Sequence, residues 1–149
     1  MVEAQIPPPV PIPGVKLGLA NIVTVFVVFA MGGKEGAAVL FCRIFLGAVF
    51  AGNFSTIFYS AAGGLLSILT TIGLKKILTR KQLWVAGALA AVAHSLGQMA
   101  AAILISGTPA LITYLPVIVA ISVITGCFTG LCAQILLNRG DHLWKTYFK

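Results

Sequence analysis

A chain of 149 residues with 59% hydrophobic and only 9% charged side chains has too little polar material for a water-facing surface, since soluble domains carry about 25% charged residues. Its mean hydropathy is +1.04. The net charge of +7 does not read as a nucleic-acid patch, because the basic residues are dispersed between apolar runs as in membrane loops. The expected fold is therefore all-α and integral to a membrane, as one domain over 1–149, a bundle of about five transmembrane helices.

In chain order, residues 1–16 form a proline-rich segment. Each proline lacks an N–H and pushes its predecessor out of the helical region, so this stretch is not a regular helix. Apolar, stiff and placed directly before Lys16, it is expected to lie over the outer side of the bundle as a lid. A first span covers 17–32 and opens with the polar residues Asn21 and Thr24. Residues 32–36, Gly-Gly-Lys-Glu-Gly, read as a turn. A second span covers 37–54 and contains Arg43; a weakly polar turn at 53–56 leads to a third span over 57–74. The loop 75–82 is strongly basic. A fourth span, 83–105, contains His94 and Gln98. Gly107, Thr108 and Pro109 then stop one helix and start another, with Thr108 suited to the N-cap and Pro109 to the first helical position. A fifth span covers 110–137, broken or kinked near Pro116, and 138–149 is a polar tail with aromatic residues suited to the interface.

Lys34, the cluster at 75–81, and Arg139 with Lys145 and Lys149 lie at alternate connections, so they share one side of the membrane. The positive-inside rule makes that side the cytoplasm and places the N-terminal segment outside a cell membrane. Such a topology predicts either a further helix before residue 1, absent from this sequence, or a five-span protein with a translocated N-terminus.

Few residues can carry chemistry. Arg43 lies deep in an apolar span, where insertion costs about 2.5–3.5 kcal/mol; it is either a structural tie or an anion site or subunit contact. His94 and Gln98 are four residues apart and share a helix face, either bonding between helices or lining a substrate cavity. Lys16, Asn21, Thr24, Asn53, Ser55, Thr56, Tyr59 and Gln98 converge on the outer half and are candidates to line one cavity. Small residues four apart, Gly47/Ala51, Ala48/Gly52, Ala86/Ala90, Ala93/Gly97 and Gly126/Gly130, permit close helix approach, inside the bundle or against a partner. Cys42, Cys127 and Cys132 all fall in apolar runs and read as free, buried, structural thiols.

The stretch from Pro13 to Ile22, Arg43 followed by Leu46-Gly47, the run from Tyr59 to Ser67, and His94 with Gly97-Gln98 and Tyr114-Leu115-Pro116 together resemble the heptaprenyl diphosphate synthase component I family, also called the Gx transporter family. The resemblance covers nearly the whole chain. Members resemble the substrate-binding S components of energy-coupling-factor transporters, which implies a six-helix fold with the first helix missing or truncated here. It also implies a small-molecule or vitamin-type importer subunit that works with a transmembrane coupling subunit and an ATPase pair. The family name implies the alternative, a non-catalytic membrane component in heptaprenyl diphosphate synthesis. The chain departs from the family pattern in lacking the hydrophobic helix before the proline-rich stretch and in having Ser95 where asparagine is expected.

No enzyme is expected. Magnesium-assisted diphosphate ionisation needs carboxylates, and the only acidic residues are the scattered Glu3, Glu35 and Asp141. No GxxxxGK[ST] phosphate loop is present, and no cofactor or metal is implied. The second and fourth spans, with Gly47/Ala51 and Ala93/Gly97, are the expected docking faces for a membrane partner.

Overall fold

The computed structural model describes residues 21–51 and 55–147; the proline-rich segment with its expected lid role, Lys16 and Asn53 lie outside them. The described residues form five α-helices and two 3-10 turns: α1 (Asn21–Ala30), α2 (Gly33–Ala51), α3 (Ser55–Lys75), the turn Arg80–Gln82, α4 (Leu83–Ser106), the turn Pro109–Tyr114 and α5 (Leu115–Tyr147). Three stretches are long and apolar enough to cross a membrane, Ile57–Lys75, Leu83–Ser106 and Pro109–Gly140. Of the other two helices, α1 is described over 10 residues, and α2 carries Lys34, Glu35 and Arg43. The protein is an all-helical membrane bundle.

Helix α4 is its axis, packing along α3 on one side and α5 on the other. Glycines set both crossings. A Cβ on Gly126 would lie 2.6 Å from Ala88 Cα and 2.6 Å from the Gly87 carbonyl oxygen, and one on Gly130 would lie 2.6 Å from Trp84 Cα. The α4–α5 backbones thus touch where only hydrogen fits, which is how helices associate when lipid supplies no hydrophobic drive. Ser95 adds a polar tie at this interface. Its hydroxyl meets that of Ser122 at 2.6 Å, and Ser122 donates to the Ile118 carbonyl, so Ser95 is the donor between helices.

Helix α1 is buried between the two halves. Val25 and Phe29 pack with Leu83, Ala86, Ala90, Ala133 and Leu137, while Val28 packs with Leu40 and Ile68. Its C-terminal carbonyls need partners that the helix cannot supply. Lys75 Nζ, at the end of α3, donates to the Val28 carbonyl at 2.7 Å, placing a cation where the helix dipole favours one.

Residues 32–36 are not a turn throughout. Only Gly32 takes a positive φ, +148°; α2 starts at Gly33 and holds Glu35 in its first turn, where the dipole favours an anion. Gly33 and Gly36 are there for space, since a Cβ on Gly33 would press on Ile72 at 2.9 Å and one on Gly36 would run into Val28. Downstream, Gly107 ends α4 in the left-handed region (φ +63°) with its N–H on the Ile103 carbonyl. Thr108 occupies the expected N-cap but makes no capping bond; its hydroxyl donates to the Ser106 carbonyl instead. Pro116 falls in the first turn of α5, where a missing N–H costs nothing, and the break before it is the 3-10 turn. Beyond Leu137 the chain stays helical: α5 runs 33 residues to Tyr147, about 50 Å at 1.5 Å per residue, longer than a bilayer core of about 30 Å. A single glycine, Gly140, costs an exposed helix only about 1 kcal/mol and does not end it.

These contacts bring the basic residues to one end of the bundle. Gly33 lies against Ile72, Lys75 reaches the end of α1, and Leu83 packs with Leu137, Leu74 and Leu78. Lys34, Lys75, Lys76, Lys81 and Arg139 are all exposed there.

Candidate functional site

Polar side chains gather halfway along the bundle, where α3 crosses α4. A Cβ on Gly97 would lie 2.6 Å from the Ala62 carbonyl oxygen and 2.8 Å from Gly63 Cα. Because the helices come this close, the side chains flanking Gly97 lie over Gly63: a Cβ there would be 2.7 Å from Gln98 Cγ and 3.1 Å from His94 Cε1. His94 is 7% exposed. Its ring hydrogen-bonds the Gly63 backbone and feels the charge of Arg43 on α2, while its Nδ1 has no hydrogen-bond partner among the described residues. Leaving a buried polar atom unpaired costs about 1–3 kcal/mol. Arg43 is half-buried. Tyr59, one turn before Gly63 on the same helix face, is half-buried as well.

Thr24 is fully buried on α1, and its Oγ1 also has no partner among the described residues. It lies one turn before Val28, which packs on α2 and α3. Helix register therefore turns Thr24 toward the side of the bundle that holds Arg43.

Of the eight expected binding residues, the structure brings His94 and Gln98 together over Gly63, while Arg43, Tyr59 and Thr24 lie on the neighbouring helices α2, α3 and α1. Lys16 and Asn53 are outside the described residues, as are the side chains of Asn21, Ser55 and Thr56. Ser95, which replaces the asparagine expected beside the histidine, turns away from this cluster to α5. Of the helix faces expected to dock a partner, that of Gly97 is occupied by α3 and those of Gly126 and Gly130 by α4. Ala86 and Ala90 are in the core. A Cβ on Gly47 would meet nothing within 4 Å among the described residues.

The cluster offers a guanidinium with five donors, an imidazole, a primary amide and a phenol. Its side chains include no carboxylate, and no group of three His, Cys, Asp or Glu among the described residues could hold a metal. Such a set can hold an anionic or polar group. Gly87 is a position that sequence reading passed over, and Gly63 enters it only within the run from Tyr59 to Ser67. The signal was present: Gly63 is in register with the His94–Gln98 face only once the α3–α4 crossing is known.

The sequence profile of heptaprenyl diphosphate synthase component I matches residues 1–136, and the chain belongs to that family. No curated protein matches it, nor does any solved structure.

Proposed function

We propose that the chain is a non-catalytic membrane component that holds a soluble prenyl diphosphate synthase subunit at the membrane surface. The family match over residues 1–136 carries this reading. The scarcity of carboxylates, three in 149 residues, supports an accessory rather than a catalytic part. In this reading the basic end of the bundle, with Lys34, Lys75, Lys76, Lys81 and Arg139, faces the cytoplasm, where a soluble partner is found.

Two measurements test it. The cognate catalytic subunit, expressed with and without the chain, is expected to move to the membrane fraction only when the chain is present. A catalytic subunit that stays soluble in both cases removes the accessory role. Accumulation of a small metabolite by vesicles holding the chain with a coupling subunit and ATPases would put the S-component-like importer in its place. For orientation, an Ile77→Cys variant is expected to react with an impermeant thiol reagent only after the cells are opened; labelling in intact cells reverses the topology.

A further inference from the structure

We propose that the connection between α3 and α4, residues 76–82, is an interfacial clamp for the headgroup of an anionic phospholipid. Its level is set by its neighbours. The spans Ile57–Lys75 and Leu83–Ser106 end and begin on either side of it, so the connection lies where the chain leaves hydrocarbon and meets the headgroups. It is also held in one shape. The Lys76 and Ile77 N–H groups donate to the Gly73 and Leu74 carbonyls at 3.2 and 3.0 Å, and the Leu78 N–H donates to the Leu74 carbonyl at 2.7 Å. Gln82 closes the other end. Its N–H donates to the Thr79 carbonyl at 2.9 Å, and its side-chain oxygen accepts from the Thr79 N–H at 3.3 Å. Leu78 packs inward on the cluster that holds Leu83 and Leu137. Ile77, beside it, is turned out and 79% exposed.

What the connection presents matches a charged lipid surface. Lys76 and Lys81 are exposed, with Ile77 between them in the chain. Lys75 directs its ammonium to the Val28 carbonyl, so Lys76 and Lys81 are the lysines here that face outward. No acidic residue occurs from 73 to 86, and Glu35, the one acidic side chain described, folds back over Gly32 at the start of α2. A lysine stem lies along apolar surface while its ammonium reaches a phosphate, and each lysine near an anionic bilayer is worth about a fivefold preference. Trp84 points to lipid rather than to an acidic protein as the partner. It is the second residue of the span Leu83–Ser106 and is 46% exposed, so its indole faces lipid at the depth where tryptophan is enriched. Two outward lysines, an outward isoleucine and a lipid-facing indole at one level suit the phosphate and glycerol layer of an anionic lipid. The clamp is independent of whether the chain recruits a synthase.

The test uses the whole chain in vesicles. Its two tryptophans are Trp84 and Trp144, so Trp144→Phe leaves Trp84 as the sole fluorophore beside the connection. Quenching of Trp84 is read in phosphatidylcholine vesicles containing brominated phosphatidylglycerol or, at the same fraction, brominated phosphatidylcholine. The anionic lipid is expected to be preferred about fivefold or more. Lys76→Gln with Lys81→Gln should bring the two lipids close to equal, and Lys34→Gln, which removes a charge on α2, should leave the preference within about twofold of the parent. Both lysines are exposed, so the fold does not depend on them; a salt series on the parent is an independent arm, in which the preference should fall as ionic strength rises toward 1 M. Equal quenching by the two lipids in the parent overturns the proposal and leaves the connection to an acidic protein. So does an anionic preference that survives the double substitution, or one that Lys34→Gln lowers as far, since a diffuse field rather than a clamp would then attract the lipid. Recruitment of a synthase with equal quenching would leave the accessory role standing and remove this site.

Discussion

The α4–α5 crossing and the second half of α2 use the same small residues for opposite ends. At the crossing, Gly87, Gly126 and Gly130 let two backbones touch, and any Cβ would strike main chain of the other helix. On α2, a Cβ added at Gly47 would meet nothing within 4 Å among the described residues, and Phe41, Phe45 and Val49 around it are exposed. The first region is a packed interior in which glycine is required by the neighbour. The second borders the polar cluster at Arg43 and is open to whatever shares the membrane with the chain. Identical spacing in the sequence thus marks a contact in one place and an opening in another.

The largest expected effect is at the crossing. Gly126→Val should destabilise the bundle by about 3 kcal/mol or more, since neither Ala88 nor the Gly87 carbonyl can move aside cheaply. Denaturant titration in mixed micelles checks this, and a variant within about 0.5 kcal/mol of the parent would mean that the helices are not in backbone contact. Gly63→Ala is intermediate. Its methyl meets Gln98 Cγ and the His94 backbone carbonyl oxygen, both at 2.7 Å, and the Gln98 stem can yield where main chain cannot. A loss of about 2 kcal/mol is expected. The smallest effect, of opposite sign, is at Gly47→Ala. With open space around it, the alanine should stabilise α2 by up to about 1 kcal/mol through helix propensity alone. A destabilised Gly47→Ala would show that α2 closes on something there and would erase the contrast.

The polar cluster was legible in pieces. Arg43 stands out by its cost in an apolar span, and His94 with Gln98 by their spacing of four. That His94 and Gln98 lie over Gly63 follows from the Gly63–Gly97 approach, a pairing between helices whose closest residues are more than thirty positions apart in sequence. The reading of 32–36 as a turn failed because glycine marks both turns and tight packing, and here Gly33 and Gly36 serve the second. The helix continues through the polar residues 138–147 because polar composition sets where a helix leaves lipid, not where it ends.

Composition alone determined that the chain is a helical membrane protein, because so few charged residues leave the backbone only itself to bond with in lipid. The sequence also determined that Lys34, Lys75, Lys76, Lys81 and Arg139 belong to one end, because helices that cross in alternation return every second loop to the same side. Which glycines press on a described neighbour and which do not, and that His94 and Gln98 lie over Gly63, were decided only by the tertiary structure. A helix face carries no mark of its partner until the crossing angle and register between helices are fixed.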